Sequence, residues 1–179
     1  MNRIRAAMAG CAFMLMLLSS AFPQARHDTL TNPEIDQLRD TAQEPDLRLK
    51  LYVKFARDRL AALEQARSDP KATNRGQDTH DRLQEFLDVY DELNDNIDTY
   101  VGRKSDMRKG LKAVIEADTE FQAKLRALQD SANTAKEESK HYEFLLSTGL
   151  ETLDSSAQDH RQVMTDQEEL AKQKKKTKK

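Results

Sequence analysis

The sequence predicts an all-α protein, and three observations lead to that prediction. Glycine is rare, with five residues among 179, and β-branched residues, which favour strands, are also few. Apolar residues recur at helical spacing in four long stretches. No proline occurs between residues 105 and 170. We therefore expect an antiparallel up-down-up-down four-helix bundle with coiled-coil-like packing, a short N-terminal helix and a disordered basic C-terminal tail.

Residues 1–25 have the pattern of a secretory signal peptide. Arg3 and Arg5 precede an apolar segment over residues 12–18, and small residues follow it. Cleavage is expected near Ala21 or Ala25. The alternative is an uncleaved anchor, although the strongly apolar part is shorter than the ~20 residues that a membrane-spanning helix needs. The expected product is an exported protein, periplasmic or secreted, that has no transmembrane span after signal cleavage.

Cleavage would leave the mature chain without cysteine, because Cys11 is the only one. Disulfides, thiolate metal sites, thioether-linked haem and cysteine nucleophiles are then excluded.

Residues 26–44 form a polar linker with a short helix. Asn32 is expected to cap that helix, with Pro33 at its first position and Glu34 near the positive end of its dipole. Ile35 and Leu38 would give it a small apolar face.

The helical bundle itself is predicted over residues 45–171. Pro45 opens a first long helix that ends at about Ser68, with an apolar face wide enough to touch two neighbours. Asp78 or Thr79 is expected to cap the second long helix. Gly102 suits the left-handed residue that follows a helix end.

From Met107 to Leu153, apolar residues follow a heptad seam, and Ser105 is expected to cap its first helix. Past Leu153 the strict count reaches Ser156 and His160, whereas a 3.6-residue drift reaches Ala157 and Met164. One continuous rod is an alternative. We expect a hairpin instead, because residues 130–134 are rich in side chains that favour caps and Thr134 with Glu137 has capping-box spacing.

The sequence offers candidate site residues, but they do not form a complete motif. Asp118 interrupts the apolar seam. It would be either a buried carboxylate facing a ligand or basic group, or a residue that is partly exposed at the rim or paired with a lysine or arginine of a neighbour. Glu138 and His141 have the Glu-x-x-His spacing of di-iron bundles, but no second copy of that motif exists. His80, His141 and His160 lack the spacing of a zinc or copper site. We therefore expect no metal, no cofactor and no catalytic residue, and predict that the protein is not an enzyme.

Charge divides along the chain. The formal net charge is −2; without Arg3 and Arg5 it becomes −4, and without the six lysines of residues 172–179 the body is −10. An acidic body argues against nucleic acid as a partner. The basic tail would allow weak contact with an anionic envelope surface. Its lysines are Lys172, Lys174, Lys175, Lys176, Lys178 and Lys179.

The function expected from these features is that of a non-enzymatic protein-interaction, scaffold or adaptor module. It would bind a protein partner or self-associate, because the first helix has a wide apolar face and small seam residues allow close helix approach. One alternative is a bundle that binds a metal or small ligand. Another is an envelope-surface-associated protein tethered by its basic tail.

Overall fold

The computed structural model describes residues 29–177, and this part of the chain contains six helices and no strand. The predicted signal peptide, both cleavage positions, Lys178 and Lys179 lie outside the described residues. The helices are α1 (Asn32–Asp40), α2 (Pro45–Ser68), α3 (Arg75–Gly102), α4 (Arg108–Thr134), α5 (Lys136–Ser139) and α6 (Glu143–Thr177). The all-α prediction is confirmed for this part of the chain.

The four long helices pack pairwise. Helix α2 lies against α3 and α4, while α6 lies against α4 and α3. Contacts made by side chains show how the helices run relative to one another. Arg48 donates to Asn96, so α2 and α3 are antiparallel, whereas Glu64 pairs with Lys124 and Asp46 accepts from the Gly110 amide, so α2 and α4 are parallel.

Helix α6 runs antiparallel to α4 and parallel to α3. Gln122 donates to Asp154, and the side chain of Gln167 contacts the amide of Met107 at the other end of α4. Asn94 donates to Ser156 across the α3–α6 contact. The hairpin prediction for residues 105–170 is therefore confirmed, and a continuous rod is excluded.

The predicted seam forms the core. All of its positions from 107 to 132 are buried, and the burial resumes at Ser139 and continues to Leu153. Ala157 and His160 are also buried. Past Leu153 the buried face of α6 therefore includes a residue from the 3.6-residue drift and one from the strict heptad count. The wide face of α2 is buried too, with Phe55 fully inaccessible, as expected for a helix that touches two neighbours.

Several predicted helix ends are wrong by a few residues. Helix α1 is capped by Thr31 rather than Asn32, and the Glu34 carboxylate accepts from both the amide and the hydroxyl of Thr31. Helix α3 begins at Arg75, after Asn74, rather than at residue 78 or 79. The Thr79 hydroxyl donates to the Arg75 carbonyl one turn earlier, which is possible only because the helix already exists there.

The connection between α3 and α4 also differs from the prediction. Gly102 is the last residue of α3, and Lys104, with φ of 56°, takes the left-handed conformation instead. Helix α4 begins at Arg108 rather than after a Ser105 cap. The Gln167 side chain of α6 bonds both the Met107 amide and the Ser105 carbonyl, so a distant helix supplies the cap.

The turn of the hairpin lies later than predicted. Helix α4 continues to Thr134, whose hydroxyl donates to the Ser131 carbonyl within the helix, so the proposed capping box with Glu137 does not form. The prediction of a disordered tail from residue 172 is wrong for residues 172–177, where α6 continues. Lysines favour that outcome because they interact well with the negative end of the helix dipole.

Candidate functional site

A buried polar cluster lies where α3, α4 and α6 meet. Asp118 and His160 are 0% and 3% exposed, so the rim interpretation of Asp118 does not apply. Asp118 Oδ2 lies 2.9 Å from His160 Nδ1, and Asp118 Oδ1 accepts a 2.8 Å hydrogen bond from the Tyr90 hydroxyl. His160 Nε2 lies 3.1 Å from Asn94 Oδ1, and Asn94 Nδ2 donates to Ser156. We call these five residues the Asp118–His160 cluster.

The hydrogen bonds of the cluster are complementary. With Asn94 oriented to donate to Ser156, each ring nitrogen of His160 lies within hydrogen-bond distance of an oxygen atom, Asp118 Oδ2 or Asn94 Oδ1. Burial raises the pKa of Tyr90, and the negative charge of Asp118 raises it further. Tyr90 is therefore held as a neutral donor, and each polar group in the cluster compensates for another's lost hydration.

The cluster contains the residue types of a serine hydrolase but not the arrangement. In a nucleophile–base pair, the imidazole nitrogen opposite the aspartate would contact the serine hydroxyl. Here that nitrogen, Nε2 of His160, contacts Asn94, and Ser156 bonds to the amide beyond it. The geometry is that of a closed hydrogen-bond network that fixes three helices relative to one another.

Glu138 and His141 lie away from this cluster, at the end of the molecule where α4 ends and α6 begins. Glu138 in α5 accepts a 2.9 Å hydrogen bond from Arg67, and Arg75 lies 3.9 Å away. His141 is exposed and packs beside Gly76, where a Cβ atom would lie 2.7 Å from the imidazole Cδ2. The Glu-x-x-His pair therefore belongs to a contact between helix ends that precedes α6, whereas His160 lies in the middle of α6.

Arg67 is the centre of that contact. Its guanidinium donates to Thr79 in α3, Ser131 in α4, Glu138 in α5 and the Tyr142 hydroxyl before α6. One side chain thus joins every element that ends at this side of the molecule.

Metal ligands do not converge in the described part of the chain. Among residues 29–177, no group of three or more His, Asp or Glu side chains is arranged to hold a metal ion. His80 lies beside Asp81 near the start of α3. Within the same residues, no helix is both long and apolar enough to cross a membrane.

The lysines of the predicted surface-binding tail lie on the end of α6. Lys172, Lys174, Lys175 and Lys176 are exposed, and the charge of Lys174 acts on Asp106. Because Gln167 marks where α6 passes the start of α4, residues 168–177 project beyond it by about 15 Å. We call residues 168–177 the α6 extension.

Sequence reasoning missed Tyr90, Asn94, Ser156 and Arg67 as members of polar clusters. A signal for two of them existed, because Asn94 and Ser156 fall on seam positions that are otherwise apolar. Arg67 had no such signal, because its four partners come from separate elements. No family model, curated protein or solved structure matches this chain.

Proposed function

We propose that the protein is an exported, non-enzymatic interaction module that acts as a scaffold or adaptor. The supporting observation is that three of the five large apolar side chains that are exposed in the described residues lie at one end of the molecule. Leu47, Val101 and Leu170 are 44%, 43% and 52% exposed. They lie at the start of α2, the end of α3 and in the α6 extension, which the Arg48–Asn96 and Met107–Gln167 contacts place at the same end. We call this the apolar end.

The proposed architecture is a four-helix bundle of α2, α3, α4 and α6 with up-down-up-down order along the chain. The pairwise contacts support a spatial order of α2, α3, α6, α4 around the core. In that order α3 and α4 lie diagonally, consistent with the core contact between Phe86 and Phe121, whose ring centroids are 5.3 Å apart. A rigid bundle of this kind would present its ends and outer helix faces to partners.

The polar interior supports a non-enzymatic role. Asp118 and His160 bind each other, and Glu138 binds Arg67, so the groups that could have held a ligand or metal already have protein partners. The alternative of a metal- or ligand-binding bundle therefore has less support than the interaction module.

Export is part of the proposal, and Arg3, Arg5 and the apolar segment over residues 12–18 support it. The test is to sequence the N-terminus of protein recovered from the extracytoplasmic fraction of cells that express the full chain. We expect it to begin after Ala21 or Ala25. Recovery of the intact N-terminus in the cytoplasmic fraction would contradict export.

The interaction role is tested by site-specific photo-crosslinking in the cells that make the protein. A benzophenone amino acid replaces Val101 at the apolar end or, as a matched control, Thr134, a polar residue of similar shape that is exposed at the opposite end. We expect discrete protein adducts from position 101 and none from position 134. The absence of adducts at 101, or the same diffuse pattern from both positions, would contradict the proposal.

A further inference from the structure

We propose that the α6 extension of one molecule docks antiparallel along the outer flank of α3 in a second copy, forming a two-fold symmetric dimer. The inference rests on the proposed interaction function, and it names the partner at the apolar end. Three features of the described residues carry it: the projection of α6, the charges of the two surfaces and the order of apolar and charged residues along them.

The α6 extension reaches past the start of α4, where Gln167 contacts Met107. Residues 168–170 and 172–176 are exposed, although the preceding turns of α6 are half-buried at Val163, Met164 and Gln167. Leu170 follows Val163 by two turns, so it continues the packing face of α6 past the end of the molecule. An apolar side chain that is 52% exposed on such a projection is typical of a contact with another molecule.

The outer flank of α3 carries the complementary charge. No Lys or Arg occurs from residue 83 to residue 102, and Asp91, Asp95 and Asp98 are exposed with the spacing of one helical stripe. Asn94, which contacts Ser156, lies one turn from both Asp91 and Asp98, so the stripe borders α6. Partial desolvation and the carboxylates of Asp88 and Asp95 raise the pKa of Asp91, consistent with like-charge repulsion along the stripe.

The two surfaces match in order and overlap in length. From Asp91 to Val101 the stripe spans about 15 Å, and from Leu170 to Lys176 the α6 extension spans about 9 Å, enough to reach past Asp98 to Asp95. Each surface has an apolar residue at one end, Val101 or Leu170, and charges that follow away from it. An antiparallel contact would bring Leu170 of one copy to Val101 of the other and the lysines to the aspartates. Because each copy contributes both surfaces, the contact closes as a dimer rather than a filament.

The test uses charge reversal on protein purified from the exported fraction after expression of the full chain. The first variant carries Lys172→Glu, Lys175→Glu and Lys176→Glu; the second carries Asp91→Lys, Asp95→Lys and Asp98→Lys. Sedimentation equilibrium should show a wild-type dimer, and each variant alone should dimerise at least tenfold more weakly because like charges now meet. Mixing the two variants should restore the dimer, since both contacts of the heterodimer then pair opposite charges.

A matched control changes the same total charge elsewhere, with Lys109→Glu, Lys112→Glu and Lys136→Glu on exposed positions outside both surfaces. It should dimerise as the wild type does, and circular dichroism should confirm that every variant is folded. A monomeric wild type, reversals without effect, or failure of the mixture to form a heterodimer would overturn the proposal. Position 101 would still crosslink to another protein if the interaction function is right and only the partner is wrong.

The lysines of the α6 extension could instead bind an anionic lipid surface. Binding to vesicles with and without anionic phospholipid tests that alternative. Loss of vesicle binding in the lysine variant, with its dimerisation unchanged, would assign the α6 extension to an anionic surface and overturn the dimer. Dimerisation that weakens in the lysine variant, and that also weakens as ionic strength rises from about 0.05 to 0.5 M, would support the dimer.

Discussion

At the scale of single residues, Asp118 shows how a carboxylate is accommodated inside an apolar helix seam. Burying a charge is costly unless a partner compensates for its lost hydration. Asp118 has two such partners, the His160 imidazole at 2.9 Å and the Tyr90 hydroxyl at 2.8 Å. Because these partners come from α6 and α3, the pairing also fixes the relative positions of three helices.

We expect Asp118→Ala to lower the free energy of unfolding by about 3–5 kcal/mol, because it leaves His160 buried without its partner. His160→Ala should cost a similar amount, and the double variant should cost clearly less than the sum, which reveals the coupling between the two residues. Urea unfolding of the four proteins measures this. The exposed Asp130→Asn serves as the control, with a change within about 0.5 kcal/mol. Additive effects of the two alanine variants would show that the pair is not coupled.

The sequence left this residue pattern open. Asp118 and His160 both fall on the strict heptad count, but burial was one of two alternatives for Asp118, and the 3.6-residue drift competed with that count at His160. Their pairing was not predictable, because the two residues lie 42 positions apart in the chain. The pairing depends on the axial position of α4 relative to α6. A heptad pattern repeats along both helices, so it does not determine that position.

At the scale of elements, helix existence was easier to predict than helix ends. Pro45 opens α2 and Ser68 ends it, as predicted, because proline at the first position is a strictly local signal. The predicted caps at Asn32, Ser105 and Thr134 are wrong. At the start of α4 the reason is tertiary: Gln167, 60 residues away, bonds the Met107 amide that a local cap would otherwise satisfy.

Two glycines at helix ends give a matched test of close packing. A Cβ atom on Gly110 would lie 2.9 Å from the backbone Cα of Asp46, whereas nothing lies within 4 Å of a Cβ atom on Gly102. We expect Gly110→Ala to lower the free energy of unfolding by about 1–3 kcal/mol through overpacking of α2 against α4. Gly102→Ala should raise it by about 0.4–1 kcal/mol, because alanine loses less backbone entropy on folding. Equal effects in thermal unfolding would contradict the close α2–α4 contact.

The docking of α1 on α2 should depend on pH through Glu34. Burial raises the pKa of Glu34, but its hydrogen bonds from Arg59 and Thr31 outweigh this and lower the pKa below the ordinary 4.5. A carboxyl group with a lowered folded-state pKa stabilises the protein above its unfolded-state pKa, and that stabilisation is lost as pH falls through the folded-state value.

We therefore expect Glu34→Gln to lower the free energy of unfolding by about 1–3 kcal/mol at pH 7. The difference from the wild type should shrink as pH falls below about 4.5, the ordinary value for this group. Denaturant unfolding across this pH range measures the effect. Asp36→Asn removes an exposed pair with Arg39 and should cost only about 0–1 kcal/mol. A Glu34→Gln difference that stays constant down to pH 2 would show that the carboxylate charge is not what holds α1.

At the scale of the whole molecule, the hairpin of α4 and α6 was predictable and the arrangement of all helices was not. The polar run over residues 130–134 indicated a reversal, and the seam on both sides indicated that the two arms face each other. Short connections, however, do not determine whether α3 or α6 lies beside α4. That choice depends on side-chain fit across the core, such as the close approach of Leu87 to Gly149 between α3 and α6.

We expect the loss of Arg67 to loosen the end of the molecule where α2, α4 and α5 end. Its guanidinium bonds side chains from α3, α4, α5 and the start of α6, and it is 19% exposed. Arg67→Met keeps the aliphatic stem but leaves Glu138 without its nearest cation, and we expect it to lower the free energy of unfolding by about 2–4 kcal/mol.

The control for Arg67 is Arg57→Met, which also removes an arginine of α2 that pairs with a glutamate. Arg57 and its partner Glu120 are 47% and 36% exposed, so their loss should cost about 0–1 kcal/mol. Hydrogen exchange locates the effect: Arg67→Met should speed exchange at the end of α4, in α5 and at the start of α6, and leave the α4 start near Met107 protected. Uniform acceleration would mean that Arg67 contributes only to global stability, whereas acceleration confined to this end would identify it as the side chain that closes the α4–α6 turn onto α2 and α3.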